Sequence, residues 1–251
     1  MDTSKFAKEY QELLNNLSMT PFFGKAAITH FLSDPKLKST GFKDFYYKNS
    51  LEYARKLEPG DYVDVTKEEH PKICGGVTEY ITKIRLARKL GKSLEDLGFF
   101  DDVNKKEYAK LTDEELAFYM YEHDIIYRSA MGYTEEIFKH KNNIIQKASI
   151  LADIALKLIY KTFPVINEID FHPDGHVMYK GEVAIKGDSD LLINNCLIDF
   201  KTKKNYMLDK KERAQLFAYA LHKYMRDGKD YDKVYFLNPR HNILEELILT
   251  T

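Results

Sequence analysis

The most regular pattern of hydrophobic and polar positions lies at residues 187–202. Leu191-Leu192-Ile193 and Cys196-Leu197-Ile198 are apolar runs joined by Asn194-Asn195, and Asn tolerates the left-handed backbone of a tight turn. The pattern predicts a β-hairpin with a two-residue turn. Ile193 then faces Cys196, Leu192 faces Leu197, Leu191 faces Ile198, and Asp190 faces Asp199. Successive side chains of a strand point to opposite faces. Leu191, Ile193, Cys196, Ile198 and Phe200 therefore share an apolar face, while Asp190, Leu192, Leu197, Asp199 and Lys201 share the other.

Elsewhere the spacing changes to that of helices. Phe6, Tyr10, Leu13, Leu14 and Leu17 recur on a helical stripe, and a second helix is expected from Lys25 to Leu32. Residues 34–75 read as irregular, broken by Pro35, Gly41, Pro59-Gly60, Pro71 and Gly75-Gly76. Val77 to Leu90 reads as a basic helix. Thr112 and Glu115 have capping-box spacing and open another helix, which runs to about Ser129. A long helix is expected over roughly 134–161, with Ile137, Ile144, Ala148, Leu151, Ala155 and Leu158 on one stripe. Strands follow at Val165–Phe171, His176–Tyr179, Glu182–Lys186 and the hairpin. Leu208 to Arg226 is a helix closed by Asp227-Gly228, with strands at Lys233–Leu237 and Ile243–Leu249 beyond it. The expectation is an α/β fold: a mixed central sheet flanked by helices over 134–251, preceded by a mostly helical N-terminal region, 1–133, that guides a substrate or binds a partner.

The chain has 251 residues and a net charge of −1, with 44% hydrophobic positions, enough for a large core. The near-neutral balance confines any nucleic-acid contact to a local basic patch. Two cysteines, Cys74 and Cys196, cannot build a disulfide framework or a four-cysteine zinc or iron–sulfur site. That usage suits a reducing compartment. With no signal-peptide pattern at Met1–Phe6 and no apolar run of membrane length, an intracellular, cytoplasmic protein that does not enter a membrane is expected. Glu122-His123-Asp124 and Glu68-Glu69-His70 read as polar surface clusters, because neighbours in sequence do not share a helix face.

The hairpin carries the chemistry. Its register presses two carboxylates together, and like charges directly opposite destabilise a sheet; a divalent cation with oxygen ligands would offset the repulsion. Lys201, two residues beyond Asp199, points the same way. From Lys201 to Arg213 the chain is locally basic, with Lys203, Lys204 and Lys211 as candidate phosphate contacts. On the helix that follows, Gln215 and Tyr219 are four apart, beside the core stripe.

Gly187-x-x-Asp190, Ile198-Asp199-Phe200-Lys201-Thr202 and Gln215-x-x-x-Tyr219 together resemble the PD-(D/E)XK nuclease superfamily, and within it the RecB-like and phage lambda-type exonuclease branch, over about residues 134–250. Ser189 stands where the motif name has Pro. The resemblance implies a Mg²⁺-dependent deoxyribonuclease, with Mn²⁺ as a substitute and no iron–sulfur cluster. It implies Asp190, Asp199 and the Phe200 carbonyl as metal ligands, Lys201 as the catalytic lysine, and Gln215 and Tyr219 as residues that organise the site. The branch often adds an upstream acid or imidazole; Glu135, Glu136, His140 and Glu168 are the candidates. The expected partner is DNA, with RNA left open, in recombination, repair or phage replication. The resemblance leaves room for a homo-oligomer or a protein partner through the N-terminal region. An endonuclease of a defence or counter-defence system, or a catalytically silent nucleic-acid-binding module, are the alternatives.

Overall fold

The computed structural model describes residues 1–58, 60–93, 95–97, 110–129 and 139–249. In chain order it contains helices α1 (Ala7–Leu17), α2 (Ile28–Ser33) and α3 (Phe42–Lys48), strand β1 (Glu52–Tyr53), and helices α4 (Pro71–Lys89), α5 (Asp113–Ser129) and α6 (Lys141–Thr162). Strands β2 (Ile169–Asp170), β3 (Val177–Tyr179), β4 (Glu182–Ile185), β5 (Leu191–Ile193) and β6 (Cys196–Phe200) follow, then α7 (Lys210–Asp227), β7 (Lys233–Asn238) and β8 (Ile243–Ile248). Among the described residues, six strands form a mixed sheet in the order β1-β8-β7-β6-β5-β2. The β6–β7 pair is parallel, with α7 as its crossover, and the other pairs are antiparallel. β3 and β4 form a separate ribbon instead of joining the central sheet. Lys186, just beyond β4, exchanges backbone hydrogen bonds with Ala26 and Ile28.

The sheet is covered on both faces. One core joins Leu197, Val234, Phe236 and Leu247 to α7 and to Tyr10, Phe31, Phe45 and Tyr46 of the N-terminal helices. The other joins Leu191, Ile193, Ile198 and Phe200 to Val77, Ile81 and Ile84 of α4, Leu116 and Met120 of α5, and Ile144, Ala148 and Leu151 of α6. Each core draws on residues from both sides of position 133, so the N-terminal region and the 134–251 segment pack as one body. Within the first core, Tyr10 Oη lies 2.7 Å and Tyr46 Oη 3.0 Å from His222 Nε2, and His222 Nδ1 lies 2.9 Å from the Gly175 carbonyl. Burial lowers the His222 pKa to about 3 against a weaker opposing pull from that carbonyl.

Local sequence explains most element ends. Asp209 and Glu212 close a capping box on α7, and Gly228 ends it with φ of 67°. Thr112 and Glu115 make the expected reciprocal bonds before α5. The reading of 34–75 as irregular fails: it contains α3, the edge strand β1 and the start of α4. α4 begins at Pro71, a residue suited to a first helical turn, and runs unbroken through Gly75-Gly76. A Cβ at Gly75 would stand 2.2 Å from Thr202 Oγ1, and one at Gly76 2.0 Å from the Tyr121 ring. The glycines therefore let α4 approach β6 and α5, and tertiary packing outweighs their poor helix propensity of about 1 kcal/mol each. Val165–Phe171 yields only the two-residue β2. The Asn194 side chain takes the backbone N–H groups of Asn167 and Glu168 and donates to the Val165 carbonyl, displacing ladder bonds. The long helix is described from Lys141; Ile137, Glu135 and Glu136 lie outside the described residues.

Candidate metal centre

The hairpin forms in the expected register, Leu191 opposite Ile198, Leu192 opposite Leu197 and Ile193 opposite Cys196. Asn194 and Asn195 have φ of 48° and 60°, the double left-handed conformation of a type I′ turn. One further step along the register sets Asp190 opposite Asp199. Their backbones do not simply continue the ladder, because Asp190 Oδ2 accepts the Phe200 N–H at 2.7 Å. Asp199 lies where β6 is covered on both faces and is only 3% exposed. Its Oδ1 accepts from Lys201 Nζ at 2.7 Å, and its Oδ2 is buried without a hydrogen-bond partner. An orphaned carboxylate oxygen in a dry site is costly unless something else satisfies it.

A third carboxylate lies within electrostatic reach of Asp190. Glu79, in the middle of α4, bonds Lys83 Nζ at 2.6 Å, and the Lys83 side chain is 3% exposed. Burial pushes the Glu79 carboxyl up; Lys83 opposes that, and the charge of Asp190 adds to it. Burial also raises Asp199, with Lys201 opposing and Asp190 reinforcing. Burial alone would lower Lys201, but Asp199 and Asp190 together outweigh it and hold its pKa above the ordinary lysine value. Fully ionised, the three carboxylates and two ammonium groups would carry one net negative charge; the raised Glu79 and Asp199 carboxyls show that burial opposes that state, and a divalent cation would favour it. Sequence reading missed Glu79 because it counted the bases of that helix; the available signal was a single acid in an otherwise basic stretch, one turn before a lysine.

The other expected residues divide. Tyr219 belongs to the buried core, at 5% exposure, not beside it as the spacing had suggested. Its hydroxyl accepts from Gln215 Nε2 at 2.7 Å, and burial followed by the Asp190 charge raises its pKa. Tyr219 thus lies within electrostatic reach of Asp190, Lys201 and Asp199, and Gln215 is tied to it. Glu168 does not: it is exposed, and its carbonyl accepts the Asn194 N–H at the turn, the opposite end of the hairpin from Asp190. The His140 ring packs against His70, with centroids 5.6 Å apart, at the start of α6. Glu136 lies outside the described residues. Lys203 pairs with Glu212, and Lys211 is half-buried on the first turn of α7.

Among the described residues, no three His, Cys, Asp or Glu side chains are drawn together as a finished ligand set. The donor chemistry nevertheless fits a hard cation. All the candidate ligands are oxygens, one buried Asp199 oxygen has no other partner, and the ammonium groups on Asp199 and Glu79 hold the places a cation would compete for. No family model, no curated protein and no solved structure matches the chain. No helix among the described residues is long and apolar enough to cross a membrane.

Proposed function

We propose that this chain is a metal-dependent deoxyribonuclease with a PD-(D/E)XK-type core, acting as an exonuclease or on single strands. The observation that carries the reading is the buried, unpartnered Asp199 Oδ2, with Lys201 on the neighbouring oxygen and Asp190 one register step beyond the Leu191–Ile198 pair. Asp190 and Asp199 would hold Mg²⁺ or Mn²⁺, with Glu79 in place of the upstream ligand sought at Glu136, His140 or Glu168. When bound, such an ion lowers the pKa of a coordinated water and polarises a phosphoryl oxygen.

The chain's own residues supply the rest. Lys201 is kept protonated by its two carboxylate neighbours, so it acts as a fixed positive charge that orients water and neutralises charge on the phosphate, not as a free base. Gln215 fixes the Tyr219 hydroxyl, and Tyr219 backs Asp190. The deciding experiment incubates end-labelled linear and covalently closed circular DNA with Mg²⁺ or EDTA. Loss of linear DNA alone marks an exonuclease, and nicking of circles an endonuclease. With a labelled RNA included alongside, an absence of metal-dependent cleavage on DNA and RNA alike leaves the binding module.

A further inference from the structure

The basic side chains near the carboxylates line a groove. A pocket of about 250 Å³ lies over Glu79 and Lys201 and is bordered by Gly75, Gly76 and Thr202. It shares Pro71, Lys72, Thr202 and Lys203 with a larger pocket of about 460 Å³, so the two adjoin. Lys67, Lys72, Lys203, Lys204 and Arg240 line the larger one, against Asp64 as its single acid. Arg240 is committed to Asp64 at 3.4 Å and Lys203 to Glu212. Lys67, Lys72 and Lys204 are exposed and have no ion pair among the described residues. An aromatic wall adjoins the same end. Tyr62 is 42% exposed; the Arg240 guanidinium sits 5.2 Å over its ring, and the His241 ring lies 4.7 Å away.

We infer that this groove binds an unpaired polynucleotide strand, with backbone phosphates over Lys67 and Lys72 and a base on the Tyr62 ring. The inference rests on the nuclease reading for the direction from which the strand arrives. Lysines on a loop and a first helical turn offer point charges that track a backbone without reading sequence. An exposed ring beside them offers the stacking surface that single strands use and that the bases of a duplex, stacked on each other, do not. The smaller pocket, bordered by Gly75 and Gly76, extends from Lys72 to Glu79 and Lys201.

The test is fluorescence anisotropy in EDTA, over a salt series, with labelled oligothymidylate, oligouridylate and a duplex of equal length. Single strands should bind more tightly than duplex, and the two homopolymers identify the preferred sugar. Lys67→Glu with Lys72→Glu should weaken binding at least ~10-fold and flatten the salt slope by roughly 1.4, about 0.7 for each lost phosphate contact. Tyr62→Ala should weaken single-strand binding ~5-fold or more with the slope unchanged. All three side chains are exposed, and thermal melts check that folding is retained. Unchanged affinity and slope in the charge-reversed protein, or duplex binding as tight and indifferent to Tyr62, overturns the inference. Its failure is separable from that of the nuclease reading. Lysine-dependent binding by a protein that never cleaves keeps the groove and removes the nuclease. Cleavage with unchanged KM in the charge-reversed protein does the reverse.

Discussion

Replacing Gly76 by alanine tests whether α4 is held where Glu79 can reach Asp190. Alanine favours a helix interior over glycine by about 1 kcal/mol, so propensity alone predicts a stabler protein. The geometry opposes it. The new methyl would lie 2.0, 2.5 and 2.6 Å from three atoms of the Tyr121 ring, and that residue is 7% exposed. A buried ring cannot yield as a flexible chain end would, and overpacking of this kind costs about 1–3 kcal/mol. The expected net loss is up to about 2 kcal/mol, a fall in Tm of up to ~8 °C for a chain of this size. α4 should also move relative to α5, carrying Glu79 with it, so metal-dependent cleavage should fall by more than the lost folded fraction accounts for. Urea melts and initial rates would be measured for Gly76→Ala, Tyr121→Leu and the double variant. Removing the ring should restore part of the Gly76→Ala loss, giving a coupling of about 1 kcal/mol. If Gly76→Ala is stabler than wild type and cleaves at the same rate, the close approach does not position Glu79.

Other outcomes follow from the same contacts. Lys201→Ala should abolish cleavage while metal binding, followed by the Mg²⁺ dependence of Tm, persists, since the side chain is partly exposed and leaves no large cavity. Asp199→Asn should raise Tm without metal by relieving the repulsion between the facing carboxylates, and should show less stabilisation by Mg²⁺ than wild type. Glu79→Ala should cost about 3 kcal/mol in urea melts because it strands the buried Lys83 ammonium, and Glu79→Gln should raise the Mg²⁺ concentration needed for half-maximal cleavage. His222 has a lowered folded pKa, so the unfolded chain takes up the proton first and stability falls as pH drops below 6.5 towards about 3. The loss is about 1.4 kcal/mol per pH unit, and His222→Gln should flatten that part of the stability profile.

The hairpin was legible because its determinants are local. Two asparagines set the turn, and period-two alternation on either side fixes which residues face each other. Asp190, Asp199 and Lys201 all lie within twelve consecutive residues. Glu79 did not, because only the packing of α4 on β6 brings it near Asp190, and nothing in the sequence around Asp190 points to residue 79. The missed α3 has a helical triplet in Phe42, Phe45 and Tyr46, all buried, but the flanking glycine and proline signals masked it. β1 is two residues long and exists only because β8 lies beside it. The shortening of β2 depends on an asparagine side chain some twenty-five residues away, which no local window contains.

The strand order has a consequence for how the molecule comes together. β5 and β6 are joined by two residues, and a hairpin of that kind closes in roughly 1–10 µs. Pairing Glu52 with Ile248, by contrast, requires nearly the whole chain to have been brought into place, and such distant closures slow folding. During synthesis α4 leaves the ribosome well before the hairpin, with Lys83 as a ready partner for Glu79 one turn away. Asp190 and Asp199 appear later, already facing each other, and β7, which receives the Lys201 N–H through the Leu237 carbonyl, appears later still. The three carboxylates are therefore expected to meet only near the end of folding. A nascent chain would carry the acids without the assembled centre until β7 has paired with β6.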